Sequence, residues 1–245
     1  ERLRDELRRK RKKPVTVYFS PSSDPFQPVP EVLDMAYDVF KHLFDSCIGV
    51  TFVIKGRIPA RHRELLAAHA SLVQGRIGVI TLDPAIAAAF EPYAASPDVR
   101  LAQTAELIAA GIAIDARLDP ILPGLTDCED CLEPLCEALA RAGVRTLAAS
   151  VLFLRPAVVR SLRRHVEDKA MLHRMLDRFS NAKPLASRRL TFRGGSWRLP
   201  ENVANEQVVG PFLELCRQYS MPAKACKASL LTTLRRCCRW KMFST

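Results

Sequence analysis

Apolar stretches short enough for strands alternate with amphipathic stretches long enough for helices from Val15 to about Phe179. That alternation limits the possible folds more than any other feature. "VTVYF" (15–19), "GVTFVIK" (49–55), "RIGVIT" (76–81), "IAIDARLD" (112–119) and "VRTLAASVLF" (144–153) read as five strands. Between them lie five segments with apolar residues at helical spacing: 31–44, 59–73, 84–94, 99–111 and 127–143. Pro59 suits a first helical turn, Gly111 and Gly143 suit helix ends, and Pro134 should kink the fifth segment. A long basic amphipathic helix is expected from Arg155 to about Phe179. Strand and helix recurring at this rate is the pattern of parallel βαβ units. No glycine-rich phosphate loop follows any strand, so a dinucleotide-binding sheet loses support. A barrel, or part of one, is the better geometry.

Barrels of this kind carry their reactive groups at the C-terminal ends of strands. Here those ends are polar. The first strand breaks into "SPSSDPFQP" (20–28), where Pro21, Pro25 and Pro28 forbid regular structure and Ser20, Ser22, Ser23 and Asp24 supply hydrogen-bonding groups. The second ends in Lys55, the third in Thr81 and Asp83, the fourth in Asp115, Arg117 and Asp119, the fifth in Ser150. Any one of these is an ordinary loop residue. Lys55 stands apart, because an ammonium at the end of the apolar run "TFVI" needs an anionic partner. Asp24 or a bound ligand would serve.

The blocks "SSDPFQPVPE" (22–31), "FVIKGRIPARHRELL" (52–66), "TLDPAIAAAFEPYAASPDVRL" (81–101) and "DPILPGLTD" (119–127) occur in one order and at one spacing. Together they resemble the radical S-adenosylmethionine proteins of the spore photoproduct lyase type, also called DNA repair photolyase-like. The resemblance runs from about Glu1 to about Phe179. It implies an α/β fold, a partial (β/α)6 barrel over residues 1–179, holding a [4Fe-4S] cluster and S-adenosylmethionine. In such enzymes the reduced cofactor yields a 5′-deoxyadenosyl radical that abstracts hydrogen from a substrate. By the same resemblance Ser22, Ser23, Asp24 and Thr81 belong to the cofactor wall, and Lys55 lies near the methionine carboxylate. Arg100 matches a cofactor-side arginine, or else buttresses Glu91. No catalytic residue is singled out.

Three departures stand against this. The family's C-x-x-x-C-x-x-C cluster motif is missing from the chain. Since "ERLRDELRRK" resembles the helix after that motif, the ligands are expected N-terminal to Glu1. Gly78 stands where relatives often carry a serine, and so does Gly56. Cys128, Cys131 and Cys136 lack cluster spacing and read as small buried or half-buried thiols, with no metal assigned. Without a secretory signal, thiols or metal ligands are a better reading of the eight cysteines than a disulfide framework, and a cytoplasmic location is expected. No run reaches the roughly 18 apolar residues of a membrane helix.

Residues 180–245 read as a smaller helical appendage with an amphipathic helix at 200–220. The role of its Cys226, Cys237 and Cys238 stays open, and Trp197 beside Arg193 and Arg198 could stack on a base. The five histidines make no zinc-hydrolase arrangement. The net charge is +11, with basic clusters at 8–13, 160–165 and 234–241. These are either solvated faces or a nucleic-acid surface. Two functions follow: a radical S-adenosylmethionine enzyme acting on nucleic acid or another anionic substrate, or a clusterless barrel that binds nucleic acid without chemistry.

Overall fold

The computed structural model describes residues 2–19, 23–180 and 210–221, and the backbone of three short strands at 183–185, 196–198 and 223–225. Strands β1 (Thr16–Phe19), β2 (Gly49–Ile54), β3 (Val73–Gly78), β4 (Ala113–Ile121) and β5 (Leu147–Val151) lie side by side in chain order. Every neighbouring pair is parallel. β6 (Lys183–Leu185) and β7 (Ser196–Arg198) form a separate antiparallel pair. β8 (Ala223–Ala225) then adds a sixth parallel strand beside β5. The result is an open parallel sheet, the partial barrel the sequence predicts.

Helix α1 (Arg2–Arg9) precedes the sheet. α2 (Pro30–Asp45) connects β1 to β2, α3 (Ala60–Ala68) connects β2 to β3, and α4 (Pro84–Phe90) and α5 (Pro97–Ala109) connect β3 to β4. α6 (Glu129–Arg141) leads to β5, followed by α7 (Pro156–His165), α8 (Lys169–Asp177) and α9 (Gly210–Gln218). None of the helices is long and apolar enough to cross a membrane among the described residues.

The outer face of the sheet is the core. Val50, Phe52 and Ile54 of β2 are buried there with Phe40, Leu43 and Phe44 of α2. Burial on both faces is expected of a strand under crossover helices, and Thr51 on the other face is buried too. The alternate residues of β3 and β4 (Gln74, Arg76, Asp115 and Arg117) share the opposite, concave face by register.

Several boundaries differ from expectation: β3 ends at Gly78, not Thr81, β5 spans only Leu147–Val151, and three further differences have a physical reason. β3 begins at Val73, not Arg76, and the helix expected to reach 73 stops at Ala68, followed by a 3₁₀ turn at Ala70–Leu72. "VQGRIG" alternates buried and half-buried residues, so its polar members mark the concave face, not a turn. β4 runs on through Pro120 to Ile121, with a register shift between Leu118 and Ile121. The long basic helix is two helices, because Asp168 caps a new start by accepting from Met171 N at 2.8 Å.

The helix expected at 200–220 is described only from Gly210, and positions 201–209 lie outside the described residues. Phe212, Leu215 and Cys216 of α9 are buried in the same core as Leu132, Leu135, Cys136 and Leu139 of α6. The chain beyond 180 therefore contributes a strand and a helix to the main body. Cys216 donates to Cys136 across that contact, and this bond with burial pushes the Cys216 thiol up.

Candidate functional site

Parallel register brings the C-terminal strand ends to one rim, where a cavity of about 420 Å³ opens. Its lining includes Ser23, Asp24, Lys55, Gly56, Glu91 and Tyr93. Lys55 follows the last residue of β2, so its side chain leaves the sheet at the rim. Its Nζ lies 2.6 Å from Glu91 Oε1 and donates to Asp119 O at 3.0 Å. The side chain is still 36% exposed, while Glu91 is 7% exposed. The anion that Lys55 needs is thus Glu91, a partner the residue pattern of the second strand did not reveal.

Glu91 is shared. Its Oε2 accepts from Arg100 Nη1 at 2.6 Å, and the same nitrogen donates to Gly78 O at 2.7 Å. Arg100 is 1% exposed. It lies behind the cavity and holds Glu91 in place, the second of the two roles its motif left open. Lys55, Glu91 and Arg100 form a line of charges running from the cavity into the interior.

Asp24 takes a different part from a counter-ion. Its Oδ2 accepts from Gly56 N at 2.8 Å and Lys55 N at 3.3 Å, and its Oδ1 accepts from Phe26 N at 2.8 Å. The carboxylate clamps the proline-rich turn onto the end of β2. Asp24→Asn should cost about 1–3 kcal/mol, because one of two accepting oxygens becomes a donor facing other donors. Urea unfolding midpoints would measure it, and a loss under about 0.5 kcal/mol would show that the clamp is dispensable.

The two glycines that replace serine are explained by close approach. A Cβ at Gly56 would sit 2.7 Å from Asp24 Oδ2, and one at Gly78 would sit 2.8 Å from Lys55 Cε. Gly56 lets the clamp close. Gly78 lets the lysine lie across the end of β3.

The remaining strand-end residues divide. Ser23 is exposed at the cavity, whereas Ser20 and Ser22 lie outside the described residues. Thr81 is buried and its Oγ1 accepts from Asp83 N at 3.0 Å. Asp83 in turn caps α4, accepting from Ala85 N at 2.7 Å and Ile86 N at 3.2 Å. Both serve the turn into α4. Asp115 and Arg117 lie inside β4, on its concave face. There Gln74 Nε2 donates to Asp115 Oδ2 at 3.1 Å, and Arg76 stands over the ring of Tyr18 at 5.6 Å. Arg117 donates to Asp119 at 2.6 Å, and Ser150 Oγ donates to the other Asp119 oxygen at 2.5 Å. The concave face of the sheet is therefore polar and hydrogen-bonded well below the rim. Tyr93, 98% exposed at the cavity, was not singled out from the sequence. Only its place after "FEP" could have marked it.

Cys128 and Cys131 are joined in a disulfide, where the sequence predicts thiols. Spacing explains the difference: one helical turn sets their Cα atoms 5.2 Å apart, within disulfide range. Among the described residues no three His, Cys, Asp or Glu side chains converge on a metal position.

No family model matches the sequence. Uncharacterised proteins of Mycobacterium tuberculosis and Mycobacterium bovis are 29% identical over 155 residues, 62% of this chain and 46% of theirs. The chain spans less than half the length of these relatives. Spore photoproduct lyase complexed with dinucleoside spore photoproduct superposes with a TM-score of 0.67 at 16% identity, over 91% of this chain and 64% of that one. A variant of the same enzyme with bound AdoMet and the dinucleoside gives 0.67 at 15% identity, with the same coverage. A domain of pyruvate-formate lyase-activating enzyme from Bacteroides vulgatus gives 0.53 at 12% identity, over 85% of this chain and 97% of that domain. The fold is that shared by spore photoproduct lyase and the pyruvate-formate lyase-activating enzyme domain. The first of these is the type that the sequence blocks resemble.

Proposed function

We propose that this chain is the S-adenosylmethionine-binding part of a radical enzyme of the spore photoproduct lyase-like type, with nucleic acid as its substrate class. The observation that carries the reading is Lys55, half-exposed in the rim cavity and already oriented by Glu91 and Asp119 O. An amino-acid moiety brings one carboxylate and one ammonium. Lys55 and Glu91 offer the complementary pair side by side, so the cofactor's methionine end fits the residues present. When bound, the cofactor supplies the hydrogen-abstracting chemistry. The chain's own part is to bind and orient it: Lys55 holds the carboxylate, Ser23 and the Asp24-clamped turn line the wall, and Tyr93 offers a ring at the mouth.

A [4Fe-4S] cluster does not fit the described residues. The Cys128–Cys131 pair is bonded to itself, and Cys136 and Cys216 are buried against each other. Nucleic acid as a partner rests on the exposed Arg155, Arg160, Arg163 and Arg164 on and beside α7, which starts after β5 on the rim side. A module that binds nucleic acid without chemistry rests on the same arginines, but it leaves the Lys55 cavity without a role.

Calorimetric titration of S-adenosylmethionine into the protein tests the reading. Lys55→Ala should weaken binding by about 1–3 kcal/mol, the usual loss for a charged hydrogen-bond donor. Lys55→Arg should restore only part, since a planar fork does not replace a compact ammonium. If Lys55→Ala folds and binds as tightly as the parent, the pocket is misassigned. If the parent binds nucleic acid but no cofactor, the binding module is the better account.

A further inference from the structure

The cofactor pocket makes no use of the disulfide between Cys128 and Cys131 in the first turn of α6. The bridge also holds little together. It closes a loop of four residues, which removes little freedom from the unfolded chain. The same turn is already fixed by its backbone, with Cys131 N and Leu132 N donating to Cys128 O at 3.1 and 3.0 Å. A crosslink with so little to stabilise calls for another use.

We propose that Cys128 and Cys131 form a redox-active dithiol–disulfide site, in which Cys128 exchanges with an outside thiol and Cys131 resolves. Exposure separates the two sulfurs. Cys128 is exposed, whereas Cys131 is half-buried with its Sγ 3.5 Å from Leu125 O. Position separates them further. Cys128 is the N-cap of α6, and no side-chain hydrogen bond fills that cap. On reduction its sulfur sits at the helix N-terminus beside the Glu129 and Asp130 amides, which favour a thiolate against the carboxylates of the same two residues. The Cys131 thiol can donate to Leu125 O and remain protonated. Of the other described cysteines, Cys136 and Cys216 are buried, and Cys47 is an exposed single thiol in the turn between α2 and β2, which peptide mapping separates from Cys128.

The neighbours select the reductant. Asp127, Glu129 and Asp130 flank Cys128 in the chain, and their negative charge disfavours the approach of anionic thiols. A dithiol without negative charge is the fitting class. Its thiolate attacks Cys128 Sγ, the protein S–S bond breaks, and Cys131 leaves as a thiolate and takes a proton. The second thiol of the reductant then displaces Cys128 from the mixed disulfide. Two electrons and two protons pass to the protein, and the reductant leaves as a cyclic disulfide.

The test uses the full chain. The folded protein is treated with dithiothreitol, trapped by alkylation and mapped by peptide mass spectrometry. The Cys128–Cys131 peptide should convert fully and reversibly, with melting curves nearly the same for both forms. A bridge that resists reduction in the folded protein, or a large loss of stability on reduction, would make it a structural crosslink and overturn the proposal. Hydroxyethyl disulfide then tests the roles. Cys131→Ser should form its adduct at Cys128 about tenfold faster than Cys128→Ser forms one at Cys131. Equal rates, or the reverse order, would overturn the assignment of Cys128. Neither readout depends on cofactor binding.

Discussion

Arg100→Met should destabilise the fold by about 3–5 kcal/mol, the cost of removing one partner from a buried charge pair. Methionine fills much of the space of the arginine stem, so a cavity is not the main term. The loss comes from Glu91. Its carboxylate is 7% exposed and would keep only Lys55, whose own side chain is 36% exposed. Gly78 O would lose its donor as well. Combining Arg100→Met with Glu91→Leu should cost less than the sum of the two changes, because the stranded charge is then gone. Urea unfolding midpoints of the two single variants and the double variant measure this. A loss below about 1 kcal/mol for Arg100→Met would mean that water reaches Glu91 and that the line of charges is not a buried unit.

The order and kind of the main elements were legible because apolar periodicity changes sharply between strand and helix. β2 reads as a strand because "GVTFVI" is apolar except for Thr51, and it is buried along most of its length. β3 was misplaced for the opposite reason. Gln74 and Gly75 look like a turn ahead of a strand that starts at Arg76, but in an open barrel the inner face is polar, so alternation from Val73 is the correct signal. That Lys55 needs an anion was also legible. Glu91 was not, because it belongs to the turn after α4, and only the fold brings that turn to the end of β2. For Asp24 the sequence resemblance implies a ligand-facing role. In the structure it binds three backbone amides, a use that no spacing rule distinguishes from facing a ligand. The lack of a secretory signal points to thiols, yet spacing alone brings Cys128 and Cys131 within disulfide reach.

Polarity inside the sheet also bears on how the pocket works. Asp119 links three elements at once: its backbone oxygen accepts from Lys55, and its carboxylate accepts from Arg117 and Ser150. Lys55 is therefore held from two sides before any ligand arrives, by Glu91 and by the end of β4. A cation fixed in this way loses little freedom on binding an anion, so more of the contact energy becomes affinity.

Phe26→Ala should cost about 3–5 kcal/mol, and it should weaken the proposed cofactor pocket at the same time. The turn that follows β1 is polar and rich in proline, yet its anchor is this one ring, 2% exposed. It meets Phe40 at 5.7 Å, Phe52 at 5.6 Å and His62 at 5.4 Å, each edge-on. Proline stiffens the turn, and among its described residues Phe26 is the one buried in the core. Its amide donates to Asp24, and Asp24 reaches on to Gly56 and Lys55, so the ring and the cavity wall are two residues apart. Phe26→Leu keeps an apolar side chain there and should cost under about 1.5 kcal/mol with affinity little changed. Urea midpoints give the stability term, and titration of S-adenosylmethionine well below the melting temperature gives the other. If Phe26→Ala stays within about 1 kcal/mol of the parent, the prolines alone hold the turn. If stability falls but affinity does not, the turn is a lid on the core and the cofactor wall lies elsewhere on the rim.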